Sequence, residues 1–278
     1  MDSSTRPLVY FVLGTPGSGR RAILSDLIAD GLTSDDRALT ALPEAEAASD
    51  WDARLGRVVR WSWRDGGFAL ELPGLARGET ADFTHLFIVA DGRRDPVDQI
   101  ESFRDWLRGR PADLARNITV VNCALVHAHD PAIRPWIDAC IHFSDVVLLA
   151  SREGVPNKWM SDFQAHYRDT FMPALFEFVK QGRVKNPVMV LEPEARRLSQ
   201  AFDEASDLAI ARELAPEAEI TFTDESGDDD EEGGEQSPPG ADDDESPVEA
   251  YFERRQNGRR TIVLPDIARF LPPAPPSA

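Results

Sequence analysis

The sequence predicts a three-layer α/β domain on a mainly parallel sheet, followed by an acidic tail. Three observations carry this expectation. Short apolar runs rich in β-branched residues recur through the first 190 or so positions, helical patterns separate most of them, and a glycine-rich turn joins the first run to the first helical pattern. Runs of four to six apolar residues suit strands buried on both faces, and their alternation with helices makes βαβ units whose helices cover both sides of the sheet.

In chain order, LVYFVL (Leu8 to Leu13) lies between Pro7 and Gly14 and reads as the first strand. Ala22, Ile23, Leu27 and Ile28 then fall at helical spacing within residues 19–29. Further strands are expected at Leu86 to Ala90, Ile118 to Asn122, Val146 to Ala150 and Val188 to Leu191. Residues 58–72 alternate apolar and polar types around Asp65-Gly66-Gly67, the pattern of a β-hairpin at the sheet edge or beside the ligand-binding end. Trp159, Phe163, Tyr167, Phe171 and Phe178 recur near helical spacing and predict one buried helix face. A last helix is expected over about residues 194–214.

Length and composition bound the organisation. A chain of 278 residues with 42% hydrophobic content accommodates one α/β domain of about 200 residues plus an appendage. No run of 18 apolar residues occurs, and the first apolar run is too short for a leader, so a cytoplasmic protein without a membrane span is expected. Cys123 and Cys140 are the only cysteines and read as buried thiols, not a disulfide framework. Of the net charge of -19, residues 224–249 supply thirteen acids and no base, leaving about -6 for the rest. Such a tail has no positive field for a phosphate backbone, which excludes nucleic acid as its partner. The expected division is a domain over 1–215, a disordered acidic linker over 216–249, and a short segment over 250–278. Within that last segment, Tyr251 to Arg255 and Arg260 to Pro265 form a basic and apolar island. It either docks back on the domain, as a strand or a hairpin around Asn257-Gly258, or serves with the acidic tail as a motif for a protein partner.

The chemistry-bearing motif is the turn itself. Gly14, Thr15, Pro16, Gly17, Ser18, Gly19, Arg20 and Arg21 have the glycine spacing of the phosphate-loop pattern GxxxxGK[ST], between an expected strand and an expected helix. Its glycines let the backbone wind so that successive N–H groups and the helix N-terminus face phosphate oxygens. Two side chains depart from the pattern. Arg20 stands where lysine bridges the phosphates, keeping the charge on a longer, planar fork. Arg21 stands where Ser or Thr ligates magnesium and has no lone pair for a cation, which argues against magnesium-assisted phosphoryl transfer. Two readings of the loop remain: binding of phosphate or a nucleotide (GTP or another), and an empty strand-to-helix turn.

Taken with two later segments, the loop resembles the CobW/HypB/UreG type of P-loop GTPases, over about residues 8–192. FTHLFIVADGRRDPVDQIESF (83–103) is similar to that family's strand-and-turn segment, with Gly92, Asp95 and Pro96 in register and Val89 where the family carries an acid. DACIHFSDVVLLASRE (138–153) is similar to the segment ending in the guanine-reading NKxD, which falls on Ala150, Ser151, Arg152 and Glu153. The resemblance implies GTP binding and hydrolysis and, through a CxCC motif, a metallochaperone role. This chain has no cysteine before Cys123; Trp61 and Trp63 occupy that region and read as sheet packing. The resemblance with its replaced residues therefore implies a degenerate member, a pseudo-GTPase acting as a binding or interaction module, with an active GTPase or metallochaperone as the alternative. The candidate nucleotide-binding residues are Gly14 to Arg21, Gly92 and Glu153, with no catalytic residue and no metal ligand assigned. His127 and His129 near Cys123 read as loop polar groups, and Asn157-Lys158 lies past the strand end.

Overall fold

Side chains along Leu8–Gly14 (β1) alternate between two cores: Val9, Phe11 and Leu13 belong to one, Tyr10 and Val12 to the other. A strand buried on both faces needs a helix layer on each side, and that is the architecture found. A computed structural model of the chain describes residues 6–72, 75, 81–203 and 249–273. Its further strands are Ala38–Pro43 (β2), Arg57–Arg64 (β3), Gly67–Ala69 (β4), His85–Val89 (β5), Asp113–Asn122 (β6), Val146–Ala150 (β7), Leu175–Lys180 (β8) and Arg183–Val184 (β9). They form one sheet in the order β4-β3-β2-β5-β1-β6-β7-β8-β9. All pairings from β3 to β8 are parallel, and the short outer strands β4 and β9 close each edge as antiparallel hairpins.

Helices Arg20–Gly31 (α1) and Pro187–Leu191 (α6) cover one face with Ile23, Leu24, Leu27, Val190 and Leu191. Helices Pro96–Leu107 (α2), Cys123–His129 (α3), Arg134–His142 (α4) and Asn157–Asp169 (α5) cover the other, through side chains such as Phe103, Val126, Ile137 and Phe163. Among the described residues no helix is long and apolar enough to cross a membrane.

Several expectations require correction. Val188 to Leu191 is not a strand but most of α6: Pro187 takes the first helical position, where its missing N–H costs nothing. The outer parallel strand is instead β8, which a helical reading of the aromatic spacing had absorbed. Only Trp159, Phe163 and Tyr167 lie on α5; Phe171 follows the helix end with a φ of 54° and is exposed, and Phe178 belongs to β8. Residues 194–203 are irregular rather than helical, while 204–214 of that expected helix lie outside the described residues. β2 was not anticipated. The hairpin around Asp65-Gly66 is present as β3 and β4, although β3 is also a parallel partner of β2. The acidic stretch expected to be disordered lies outside the described residues up to 248.

The chain returns to the domain surface at Glu249. Its carboxylate accepts from Ser199 Oγ (2.5 Å) and meets His142 Nε2 (2.9 Å), and Phe252 stacks on Phe143 with ring centroids 5.5 Å apart. Arg254 and Arg260 pair across a turn at Asn257-Gly258 and both reach Glu101 on α2, at 2.6 and 2.7 Å. Burial opposes ionisation of Glu101 and Glu249. Hydrogen bonds from the two arginines in the first case, and from His142 and Ser199 in the second, outweigh it and hold both carboxyls below the ordinary glutamate range. A carboxyl lowered by folding contributes stability that is present above its unfolded pKa and lost as pH falls through its folded one. Residues 249–261 are therefore expected to loosen first when pH drops below about 4.5, which the NMR amide signals of Tyr251 to Arg260 would show as broadening ahead of those of β1. Simultaneous loss of both sets at the same pH would contradict this.

Candidate functional site

β1 delivers the chain to a turn that only glycine can make at three places. Gly14, Gly17 and Gly19 have φ of 131°, 79° and 87°, all on the positive side that L-residues avoid. Gly19 is the N-cap of α1 and offers no side chain to satisfy the helix's first N–H groups, while Ser18 N–H bonds Thr15 O at 3.2 Å to tighten the turn. The first turn of any helix leaves such donors unpaired and carries the positive end of the helix dipole, so the turn is open to an anion. Thr15 Oγ1 and Ser18 Oγ are buried here and have no hydrogen-bond partner among the described residues.

Gly92, after β5, packs directly against this turn. A Cβ built on it would collide with Gly14 O and come within 2.6 Å of Pro16 Cδ. The Asp95-Pro96 pair that follows has a structural role: Asp95 caps α2 by accepting from Val97 N at 2.8 Å, and Pro96 opens that helix. Val89 is fully buried, and its carbonyl accepts from Trp61 Nε1 at 2.8 Å.

What the arginines do decides the chemistry. The connection from β2 to β3 folds over the start of α1, shaped by a 3₁₀ turn at Asp50–Arg54 with a capping box between Ser49 and Asp52. Glu46 bridges both arginines, pairing with Arg20 Nη2 and, at 3.1 Å, with Arg21 Nη2. Arg20 also donates to Ala90 O (2.5 Å), and its side chain is only 4% exposed. Arg21 donates to Ala47 O and to Asp52, both at 2.9 Å, and Asp52 holds Arg60 as well. The two cations that the loop would present to a phosphate are thus neutralised within the chain.

A cleft of about 360 Å³ remains, lined by Pro16, Gly17, Gly19, Arg20 and Arg21 on one side and by Glu46, Trp51, Asp91 and Arg93 on the other. The structure therefore brings together most of the loop and sets Gly92 against it. Glu153 is exposed on the turn after β7 and does not line the cleft. Its neighbour Arg152 lies over the Phe178 ring at 4.5 Å, turned to packing. Asn157 and Lys158 open α5, where Lys158 pairs with Asp162 at 2.6 Å. His127 and His129 lie on α3, not on a loop, and separate toward Trp159 and Phe270 (ring centroids 5.3 and 5.2 Å). Burial pushes the Cys123 thiol up to about 12.

Glu46, Asp52, Trp51 and Asp91 were missed in sequence. A signal existed for one of them, since Ser49-x-x-Asp52 is a capping-box spacing. Asp91 stands two residues beyond Val89, the position where the resemblance places the family's acid.

The residues do not fit magnesium. Arg21 replaces its side-chain ligand, and each nearby carboxylate is already engaged, Asp91 by Arg93 N–H and Arg94 Nε, both at 3.1 Å. The backbone of the turn, which faces the cleft at Pro16, Gly17 and Gly19, does fit an anion of phosphate size.

No protein-family model matches the sequence, and no curated protein sequence matches it. Solved structures do show likeness. The Zn(II)-bound YjiA GTPase from E. coli is 16% identical over 69% of this chain and 66% of that one, with a TM-score of 0.41. HypB from Helicobacter pylori in complex with nickel is 13% identical over 75% and 87%, with a TM-score of 0.42. The cell division protein FtsY from Thermotoga maritima is 14% identical over 71% and 69%, with a TM-score of 0.40. Likeness at this level assigns neither a family nor an activity to the chain.

Proposed function

We propose that this protein is a non-hydrolytic relative of P-loop GTPases, a pseudo-GTPase that works as a binding or interaction module. One observation carries the reading: the two side chains at the lysine and magnesium-ligand positions, Arg20 and Arg21, are both bound by Glu46 and unavailable to a triphosphate. Phosphoryl transfer relies on positioned cations to offset charge that develops on the transferring group. With the arginines paired internally and Arg21 in place of the hydroxyl that ligates magnesium, that stabilisation is missing. The loss of an NKxD set around Glu153 removes guanine selection as a further requirement. Two buried free thiols are in keeping with a cytoplasmic setting.

The glycine turn, which opens onto the cleft at the N-terminus of α1, favours a second, narrower activity, the weak binding of phosphate or of a nucleotide's phosphate end. Calorimetric titration with GTP, GDP, ATP and inorganic phosphate, with and without magnesium, separates the readings. The expected result is affinity of about millimolar or weaker, unchanged by magnesium, and no turnover. Micromolar, magnesium-dependent GTP binding with hydrolysis abolished by Arg20→Ala would establish the active GTPase instead.

A further inference from the structure

The end of the sheet opposite the glycine turn carries the reverse of the protein's overall charge. Here the starts of β1 and β6, the C-terminus of α2 and residues 195–203 enclose a groove of about 630 Å³. Five arginines line it (Arg6, Arg104, Arg108, Arg110 and Arg197) against two acids, Asp113 and Asp203. Its floor includes Leu107, Leu114 and Phe202.

Three of these arginines are already paired, Arg6 with Asp113 (3.2 Å), Arg104 with Asp105 (3.2 Å) and Arg197 with Asp145 (3.2 Å) and Asp203 (2.5 Å), which leaves Arg108 and Arg110 to meet an incoming anion. Arg110 lies over the Trp106 ring at 4.5 Å, has no carboxylate partner among the described residues, and burial disfavours its charge. Arg108 is largely exposed, and its acid contact, Asp105, is 3.7 Å away and shared with Arg104. A carboxylate arriving at Arg108 and Arg110 would make charge-assisted hydrogen bonds with their guanidinium groups.

We propose that this groove is a docking site for a carboxylate-rich peptide, and that its occupant is the chain's own acidic stretch, residues 224–249. Charge is the first reason: thirteen acids and no base stand in that stretch of a protein whose net charge is -19, and the groove is locally cationic. Connection is the second. Asp203, the last described residue before the stretch, lines the groove. Glu249, at its far end, bonds Ser199, which lies between the groove residues Arg197 and Ala201. The chain thus leaves the described residues at Asp203 and re-enters them at Glu249, both beside the groove. Asp242 to Glu245 stand four to seven positions before Glu249, a reach of roughly 14–24 Å at about 3.4 Å per residue. A tethered ligand acts at an effective concentration of about millimolar, so even modest arginine–carboxylate pairing fills such a site.

The test uses the full chain and a synthetic peptide of residues 224–245. In one variant of the full chain, Asp242→Asn, Asp243→Asn, Asp244→Asn and Glu245→Gln together neutralise the nearest acids. This variant is expected to bind the peptide at least about tenfold more tightly than the unaltered chain, with affinity falling steeply between about 0.05 and 0.5 M salt. Adding Arg108→Gln and Arg110→Gln should abolish binding; both side chains lie at the rim of α2's end, and unchanged circular dichroism would show that folding is intact. If those glutamines destabilise the chain, Arg108→Gln alone should still weaken binding. Equal binding by the unaltered and neutralised chains would overturn the internal occupant and leave the groove to an acidic partner. Binding indifferent to both arginines, or none at all by the neutralised chain, would overturn the site.

Discussion

Replacing Glu46 by alanine is expected to destabilise the protein by about 3 kcal/mol and to make its stability responsive to inorganic phosphate. Glu46 is the shared counter-charge of Arg20 and Arg21, whose side chains are 4% and 12% exposed. Removing one member of a buried ion pair typically costs about 3–5 kcal/mol because the remaining charge stays buried without compensation. The lower end applies here, since Glu46 is 18% exposed and Arg21 keeps Asp52. For a domain of this size, about 3 kcal/mol lowers the melting temperature by roughly 6–12 °C. The variant leaves Arg20 beside an open glycine turn, so an anion should now enter and restore part of the loss. A ligand at a hundred times its dissociation constant returns about 2.7 kcal/mol. Thermal melts of both proteins across a phosphate series, at constant ionic strength, are the measurement. A loss of less than about 1 kcal/mol, or identical phosphate responses in the two proteins, would show that Glu46 does not hold the arginines away from the turn.

The same contrast explains which parts of the molecule were legible in sequence. β1, β5, β7 and the second half of β6 are buried on both faces, so all but the terminal His85 and Asn122 are apolar or small and the run stands out. β8 is only partly covered, its LFEFVK carrying Glu177 in the middle and Lys180 at the end, and the aromatic residues before it imitate helical spacing. Val188 to Leu191 shows the converse ambiguity, an apolar run too short for its period to be read, in which the preceding proline was the better guide. The glycine turn was legible because its positive φ values impose a residue type. Its electrostatics were not. Glu46 and Asp52 lie 25 to 31 positions from their arginines, and only the parallel register of β2 with β3 brings the connection over α1. Charge partners chosen by tertiary structure leave no local pattern.

Gly92→Ala is expected to cost about 3 kcal/mol, at the upper end of what overpacking does to a well-filled site. The reason is space and not backbone freedom. Gly92 has no positive φ, but its added Cβ would meet Gly14 O, Pro16 Cδ at 2.6 Å and Pro16 N at 2.9 Å. None of these is the far end of a flexible side chain; all belong to backbone or a proline ring, so relief requires the turn after β1 to move away from β5. Gly17→Ala is the matching control. Its φ is 79°, which penalises an L-residue by about 1–2 kcal/mol, yet nothing lies within 4 Å of the added carbon. Urea unfolding should therefore rank Gly92→Ala well below Gly17→Ala in stability, with unchanged slopes. The two variants should also part in binding. Displacing the turn in Gly92→Ala separates the Gly17 to Arg21 amides from one another and removes any phosphate response that Glu46→Ala had exposed, so the double variant should melt identically with and without phosphate. Retention of that response would mean that the turn tolerates movement and that the anion is held elsewhere.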